Sequence, residues 1–210
     1  MSRVKGESKR AEKARQTRRR MLEAARELFV EQGYGATALQ DVADRAGVAV
    51  QTIYFTFGNK RSLLKEVMEV AVAGDDEPVA TMDRAWFRDA MAAETAAEQL
   101  RLHVHGTRQV MGRVAEILDV VRAAAAADPE LHGQAEQTPR FAVMLAAAEV
   151  LVTKPGVRAD LSAGLAADVL YALLSPELYL LLIRDRGWPP EQWEQLTYDS
   201  LVARFCSAPA

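Results

Sequence analysis

Residues 37–60, with the sequence TALQDVADRAGVAVQTIYFTFGNK, constrain the fold of this chain more than any other part. Thr37 followed three positions later by Gln40 is a capping-box pattern, so we expect a helix to start near Ala38. Gly47 should end this helix, because glycine readily adopts the left-handed conformation that a helix stop often needs. The segment therefore begins with one short helix and a tight turn.

A second short helix is predicted at about 50–55, and Ala43 is small enough for the two helices to cross closely. If Ile53 faces the core, its polar and aromatic neighbours on this helix must lie on the exposed surface. These neighbours are Gln51, Thr52, Tyr54 and Phe55. Two short helices joined in this way form a helix-turn-helix, in which the second helix enters the major groove of DNA.

Residues 24–64, AARELFVEQGYGATALQDVADRAGVAVQTIYFTFGNKRSLL, resemble the TetR (tetracycline repressor) family of one-component bacterial regulators. Two positions depart from the family pattern. Ala49 stands where the family usually has Ser or Thr, which weakens the cap of the recognition helix. Gln51 stands where the family often has Gly, and its amide can pair with adenine or a phosphate.

The composition favours packed helices. Half of the residues are hydrophobic, with only 12 Gly and 8 Pro, and β-branched runs are scarce. The resemblance implies an all-α fold of about nine to ten helices. It also implies an amino-terminal three-helix DNA-binding domain and a carboxy-terminal helical domain for effector binding and dimerisation.

The chain divides into three predicted parts. Residues 1–14 are expected to be a disordered basic tail, and 15–73 to form the DNA-binding domain with a linking fourth helix at 60–73. Residues 74–210 are expected to form the effector-binding and dimerisation domain, because Gly74-Asp75-Asp76-Glu77-Pro78 is the clearest break. The first long helix is expected at about 12–32.

Charge is distributed unevenly between these parts. Residues 1–73 carry 14 Lys and Arg against 9 Asp and Glu, a net charge of +5, whereas residues 74–210 carry −8. A basic head on an acidic body suits a protein that docks one end on nucleic acid. Arg18 and Arg19 lead into the DNA-binding unit and are expected to contact phosphates, which adds affinity without sequence information.

The residues of the helix-turn-helix have different expected roles at the DNA. Thr37 should hold the DNA backbone through the start of its helix. Gln51 and Thr52 are the candidates for contact with base edges. By resemblance, Tyr54 and Lys60 should bind phosphates.

An effector pocket is implied by resemblance among the body helices, which we expect at about 82–93, 95–126, 138–152 and 160–186. Its candidate lining residues are Trp86, Phe87, His103, Arg108, Met111, Phe141, Met144, Tyr171 and Tyr179. Aromatic and methionine side chains suit an effector that is largely apolar. At helical spacing the same side chains also suit an ordinary core.

The resemblance implies a homodimer formed through the last helices, at about 160–186 and 191–205. Its candidate interface residues are Leu173, Leu174, Leu178, Leu181, Trp193 and Leu201. The alternative is that this apolar surface only fills the core of one subunit. A break is expected at Pro176, either as a kink or as a new helix capped by Ser175.

Other function classes have little support. A single cysteine, Cys206, fits a cytoplasmic protein, and we expect no membrane span because no uninterrupted apolar segment approaches the required length. No metal, cofactor or enzymatic activity is expected, since His103 and His105 diverge on a helix and no nucleophile elbow occurs. A repressor on a palindromic operator is favoured. The alternatives are an activator, a small-molecule binder that does not use its helix-turn-helix on DNA, and a DNA protein without sequence preference.

Overall fold

The computed structural model describes residues 3–74, 80–127 and 140–207, with side chains from Lys9 onward. Within these ranges the chain is helical apart from connecting turns and one antiparallel bridge between Val157 and Cys206. The predicted all-α fold is therefore confirmed.

Helices follow one another along the described part of the chain, with short turns between most of them. In order, they are α1 (Arg3–Ala36), α2 (Leu39–Ala46), α3 (Val50–Phe57), α4 (Lys60–Ala73), a 3-10 turn (Thr81–Asp83), α5 (Ala85–Ala92), α6 (Ala96–Ala127), α7 (Arg140–Leu151), α8 (Ala163–Leu173), α9 (Pro176–Leu180), a π-helical turn (Leu181–Asp185) and α10 (Pro190–Phe205).

The chain forms two compact units whose boundary differs from the predicted one at residue 74. The described part of the first unit extends to Val70 and also includes Ile117 to Ala127, and the second unit contains Ala71–Glu116 and 140–207. The break at residue 74 marks a loop, but compactness depends on contacts in space. The 32 residues of α6 span about 48 Å, and its last third, from Ile117 onward, belongs to the first unit.

The start of α1 corrects the expected disordered tail at 1–14, because the helix begins at Arg3. Alanine, arginine, lysine, glutamate and glutamine are strong helix formers, and they dominate this stretch. The Glu12 carboxylate also accepts hydrogen bonds from Arg15 at 2.5 Å and Gln16 at 3.4 Å, one turn further along. Such pairs support an exposed helix through its polar face.

The core of the first unit comes from one face of each of its first four helices. Its fully or nearly fully buried members are Met21, Leu22, Ala25, Leu28, Phe29, Val42, Ala43, Ile53, Phe57, Leu63, Leu64 and Val67. The predicted break after the first helix is confirmed at Gly33, where φ is +83°. This backbone conformation is readily available to glycine.

The turn between α2 and α3 has the predicted geometry. Gly47 has φ 66° and ψ 45°, and its N–H donates to the carbonyl of Asp44 at 3.2 Å. The N–H of Val48 donates to the carbonyl of Ala43 at 3.0 Å. Because Ala43 is fully buried, its small side chain lets α2 pack closely on its neighbours. The left-handed glycine thus ends α2 and turns the chain into α3.

The second unit is built from α5, the first two-thirds of α6, and α7 to α10. The pair α7 and α8 packs along its length through small side chains, with Ala147, Ala148, Ala166 and Ala167 at most 1% exposed. Such residues let two helix backbones approach closely. The larger buried side chains of this unit include Leu100, Val104, Leu151, Leu170, Trp193, Leu201 and Phe205.

The apolar stretch predicted as one helix at 160–186 is divided at Ser175. The Ser175 hydroxyl oxygen accepts from the N–H of Leu178 at 3.2 Å, with Pro176 in the first turn of α9. Of the two alternatives predicted at Pro176, a kink or a new helix capped by Ser175, the structure has the capped helix.

By length and composition, Ala163–Asp185 could cross a membrane, although charged residues interrupt its apolar sequence. Charged residues such as Asp168 lower the mean hydropathy of this segment too little to exclude a membrane span by composition. The break at Ser175 and the burial of Leu170 and Leu174 show a segment divided between two helices and packed in the second unit.

The packing of Trp86 on Gly106 in α6 generates a stability prediction. A Cβ added at Gly106 would lie 2.1 Å from Cε3 of the indole, so Gly106→Ala must displace the ring. We expect a loss of about 1–3 kcal/mol in the free energy of unfolding, measured in urea. Gly112→Ala is the matched control on the same helix, because its nearest outside atom is the Tyr179 hydroxyl at 3.7 Å. That substitution should stabilise the protein by up to about 1 kcal/mol. Equal effects of the two changes would contradict this packing.

Candidate functional site

The outer face of α3 has the exposed residues that the sequence predicted. Gln51 is exposed, Tyr54 is 54% exposed and Phe55 is 93% exposed. Ile53 and Phe57 are buried on the opposite face and anchor the helix in the first unit. An almost fully exposed phenylalanine gains nothing from the fold of its own chain, so this ring is available to another molecule.

Two further features of α3 affect what it can contact. Thr52 is half-buried, and its backbone carbonyl accepts from the Thr56 hydroxyl at 2.8 Å. Ala49 precedes the helix and makes no side-chain cap, as the sequence indicated. The amide groups of the first turn therefore have no side-chain acceptor, and such groups bind phosphate oxygens well.

Thr37 does not have the position that the sequence predicted. The residue is 1% exposed, and its hydroxyl hydrogen is shared between the carbonyls of Gly33 at 2.9 Å and Leu28 at 3.2 Å. The helix is capped one residue later, where the Asp41 carboxylate accepts from the N–H of Ala38 at 3.2 Å. Thr37 holds the end of α1, so its side chain cannot contact the DNA backbone.

Lys60 also differs from its expected role as a phosphate contact. Its ammonium donates to the carbonyls of Tyr34 at 2.6 Å, Thr37 at 2.8 Å and Gly35 at 3.3 Å, and lies 4.4 Å from the centre of the Tyr34 ring. Burial lowers the pKa of Lys60. An ammonium has three N–H donors, and three carbonyls accept them here. Lys60 thus joins the start of α4 to the end of α1 and to Thr37 just after it.

The arginines at this end of the molecule are also involved in the packing of the unit. Arg18 forms an ion pair with Glu66 on α4 and lies 5.6 Å from the ring centre of Phe57, and its contact with a phosphate stays a prediction. The positive charge of its guanidinium suits the Glu66 carboxylate, and its planar shape suits the Phe57 ring. Arg19 is exposed, and phosphate contact there remains a prediction.

Arg45 is a structural residue that the sequence did not single out. Its guanidinium donates to the carboxylates of Glu27 at 3.1 Å and Glu31 at 3.0 Å, which ties α2 to α1. Hydrogen bonding to Arg45 lowers the pKa of Glu31. No local pattern reveals this pair, because the partners lie 14 and 18 positions away.

Most of the predicted pocket residues are buried in the second unit. Phe87, His103, Met111, Met144 and Tyr179 are at most 6% exposed, and Trp86 is half-buried. The imidazole of His103 lies between two rings, with centroid distances of 5.7 Å to Phe87 and 5.9 Å to Trp86. Neither ring nitrogen of His103 has a hydrogen-bond partner among the described residues. Burial lowers the pKa of His103 to about 4, so this imidazole is neutral at pH 7.

Two predicted pocket residues lie on the outer surface instead. Phe141 and Tyr171 are 43% and 40% exposed, and their rings pack edge to face with centroids 5.5 Å apart. The Arg140 guanidinium stacks 3.5 Å from the centre of the Tyr171 ring. Their helical spacing was compatible with either face, and the close packing of α7 on α8 turns these rings outward.

Arg108 is held by carboxylates and does not face an open pocket with a free charge. It lies 2.8 Å from Glu191 and 2.5 Å from Glu194, both at the start of α10. His105 on the neighbouring turn is 2.9 Å from Glu194. Among the described residues, no group of three or more His, Cys, Asp or Glu could hold a metal ion.

The predicted interface residues fall into two groups. Leu174, Trp193 and Leu201 are fully buried within the subunit, so they are corrected to core residues. Trp193, for example, packs against the Tyr179 ring with centroids 5.1 Å apart. The other three have exposed surface: Leu181 is 51% exposed, and Leu173 and Leu178 are half-buried. Two exposed leucines were missed, namely Leu165 at 41% and Leu196 at 43%.

These features define a class of protein: an all-helical chain with an amino-terminal helix-turn-helix whose second helix exposes polar and aromatic side chains. A family model described as bacterial regulatory proteins, tetR family, matches residues 21–67. The helix-turn-helix of this chain is therefore similar to the DNA-binding domain of that family.

Curated relatives are similar over a minor part of this chain. The transcriptional regulator TtgR of Pseudomonas putida is 38% identical over 58 residues, which cover 28% of each protein. AcrR of Shigella flexneri is 37% identical over 60 residues, which cover 29% of this chain and 28% of AcrR. The aligned part spans between 28% and 60% of the length of the curated relatives it matches.

Solved structures are similar over nearly the whole chain. FadR of Bacillus subtilis, in complex with stearoyl-CoA, superposes with a TM-score of 0.68 at 18% identity and covers 88% of this chain and 97% of FadR. NalD, described as the secondary repressor of the MexAB-OprM multidrug efflux pump in Pseudomonas aeruginosa, gives a TM-score of 0.62 at 18% identity. The superposition covers 93% of this chain and 100% of NalD. At this identity the likeness shows a shared fold.

The bonds of Lys60 generate a prediction about stability. Lys60→Met should lower the free energy of unfolding by about 1–3 kcal/mol, because the carbonyls of Tyr34, Gly35 and Thr37 lose a charged donor. Lys65→Met removes the same charge from an exposed position of α4, where the ammonium lies 3.8 Å from the Glu69 carboxylate, and should change stability by less than about 0.5 kcal/mol. Urea unfolding of both variants measures the difference. Unchanged stability of Lys60→Met, with weaker DNA binding, would instead assign this ammonium to a phosphate.

Proposed function

We propose that this protein is a transcriptional regulator that binds a palindromic DNA operator as a homodimer and changes its DNA affinity when a small molecule binds its second unit. The observation that carries the proposal is the exposed face of α3 within a tetR-family helix-turn-helix. Likeness to NalD, which is described as a repressor, favours repression. Activation remains the alternative, because the position of the operator relative to the promoter decides between the two. The protein acts on DNA in the cytoplasm.

The side chains of α3 support direct reading of bases in the major groove. The Gln51 amide can donate to and accept from one adenine at the same time. The Phe55 ring can pack on the methyl group of thymine, which lies in the same groove. Tyr54 offers a hydroxyl to a phosphate oxygen, which positions the helix without reading sequence. The Gln51 amide and the Phe55 ring together favour A·T pairs in each half-site.

Dimerisation is supported by the distribution of exposed apolar side chains. Eight large hydrophobic residues are exposed in the described part of the chain, and four of them lie between residues 163 and 205. These four are Leu165, Tyr171, Leu181 and Leu196. Exposed apolar surface that recurs on neighbouring elements marks a contact with another molecule. A second copy also provides the second recognition helix that a palindrome requires.

The DNA-reading role predicts the effect of shortening two side chains on α3. Phe55→Ala and Gln51→Ala should each weaken binding to the duplex that the wild-type protein binds most tightly by about 1–3 kcal/mol. Each should also relax the preference at one base pair. Their stability should stay within about 0.5 kcal/mol of wild type, because both side chains are exposed. Fluorescence anisotropy at several salt concentrations measures this.

The matched control for these variants is a duplex of scrambled sequence, for which their affinity should equal that of wild type. The slope of affinity against salt should also remain unchanged, since neither residue carries a charge. Equal loss on both duplexes would show that α3 contacts only the DNA backbone.

Dimerisation through the late helices predicts the outcome of placing a charge there. Leu181→Arg should convert the dimer to a monomer in sedimentation equilibrium, because burying an unpaired arginine at an interface is strongly unfavourable. Met82→Arg is the matched control, since Met82 is an apolar side chain of similar exposure, 42%, outside the late helices. A dimer that survives Leu181→Arg but not Met82→Arg would assign the interface to another surface.

A further inference from the structure

Helix α6 carries a buried polar stripe that the fold does not explain. Gln99, His103 and Thr107 are spaced four residues apart and therefore share one face of the helix. Their exposures are 2%, 1% and 3%. The neighbouring buried positions of α6 include Leu100, Val104 and Met111. A helix needs no polar side chains at buried positions, so these residues require another explanation.

Three polar atoms of the stripe lack a hydrogen-bond partner in the part of the chain that the structure describes. The Gln99 amide nitrogen donates to the carbonyl of Ala147 at 2.8 Å, which fixes the orientation of the amide, since two oxygens cannot form this bond. The Gln99 Oε1 atom is then buried without a donor. Both ring nitrogens of His103 are buried without a partner. Such atoms destabilise a fold unless another molecule satisfies them.

The surroundings of these atoms are apolar and uncharged. The His103 ring contacts Trp86 and Phe87, and the Gln99 amide contacts the Met91 sulfur at 3.7 Å. Trp86 is the half-exposed member of this group, so it separates the stripe from solvent. Its ring fits against α6 because residue 106 is glycine.

We propose that Gln99 and His103 form the polar floor of the effector site, and that the effector is an uncharged, mainly apolar molecule with a hydroxyl group. This inference rests on the proposed ligand-responsive function. The class follows from the unpaired atoms: one amide oxygen that accepts, and one neutral imidazole that offers a donor and an acceptor. A hydroxyl group can donate to the amide oxygen and accept from the imidazole N–H.

Charged effectors fit these atoms poorly. A carboxylate only accepts hydrogen bonds, so its oxygens would repel Gln99 Oε1 and could use only the His103 N–H. Within the described part of the chain, the hydrogen-bond and ring partners of Gln99 and His103 include no carboxylate, so an ammonium there would be an uncompensated buried charge, which is strongly unfavourable. The walls formed by Trp86, Phe87 and Met91 suit the apolar part of an uncharged molecule.

The test uses a panel of para-alkylphenols, from ethyl to octyl, with the matching alkylbenzenes and para-alkylbenzoates. Binding to the full chain at pH 7.5 is measured by calorimetry. We expect at least one phenol to bind at least about tenfold more tightly than its alkylbenzene and its benzoate, because only the phenol pairs with the buried atoms. The absence of this preference across the panel would overturn the inference.

Variants on α6 assign the preference to residues. Gln99→Leu and His103→Leu should each reduce the preference for phenol over alkylbenzene to less than about threefold. Both variants should fold, because each removes unpaired buried polar atoms, although Gln99→Leu also removes the one hydrogen bond to the carbonyl of Ala147. Gln109→Leu, at an exposed position of the same helix, is the matched control and should keep the full preference. A preference that survives His103→Leu and Gln99→Leu would contradict the assignment.

A second readout needs no variant. In the unmodified protein, saturating phenol should shift the ring 15N resonances of His103 and leave those of His105 unchanged, since His105 already bonds Glu194. Unshifted His103 resonances at saturation would overturn the inference.

Failure of this inference differs from failure of the proposed function. Specific duplex binding without a phenol preference would refute the effector class and leave the DNA-binding role intact. Phenol binding that depends on His103, in a protein that binds no specific duplex, would support the site and refute the regulator.

Discussion

The ammonium of Lys60 connects the parts of the DNA-binding unit, and the placement of the recognition helix depends on this connection. The left-handed turn at Gly33 ends the regular part of α1, and the carbonyls that follow it lose their helical partners. Lys60 supplies three donors to this segment from the start of α4. The buried Thr37 hydroxyl holds the same segment against α1 by donating to the carbonyls of Leu28 and Gly33. The start of α2, and through Gly47 the direction of α3, follow from these bonds.

The local features of the helix-turn-helix could be predicted from sequence because each depends on neighbouring residues. Gly47 ends α2, Ala43 is buried, and Ile53 faces inward while Phe55 faces solvent, as the pattern indicated. The roles of Thr37 and Lys60 could not be predicted in this way. Lys60 bonds to carbonyls 23 to 26 residues earlier in the chain, and a one-residue shift of the cap to Ala38 buries Thr37.

The second unit shows where periodicity alone is insufficient. Aromatic and leucine side chains at helical spacing were compatible with a pocket, an interface or a core. The structure places Trp193 in the core and Tyr171 on the surface, because the neighbouring helices determine which face each helix buries. Gln99 was missed, although a sequence signal existed: polar residues four apart on an otherwise apolar helix face. Its meaning became visible only with the unpaired atoms of Gln99 and His103.

The central claim is that α3 reads a DNA sequence from an arrangement that the first unit holds rigidly. Selection of bound duplexes from a random library, at about 150 mM salt, tests it most directly because nonspecific binding is weakened at that concentration. The account predicts a palindrome whose half-sites are separated by about 34–36 Å or a multiple of it. Recovery of no motif by folded, dimeric protein would contradict the claim.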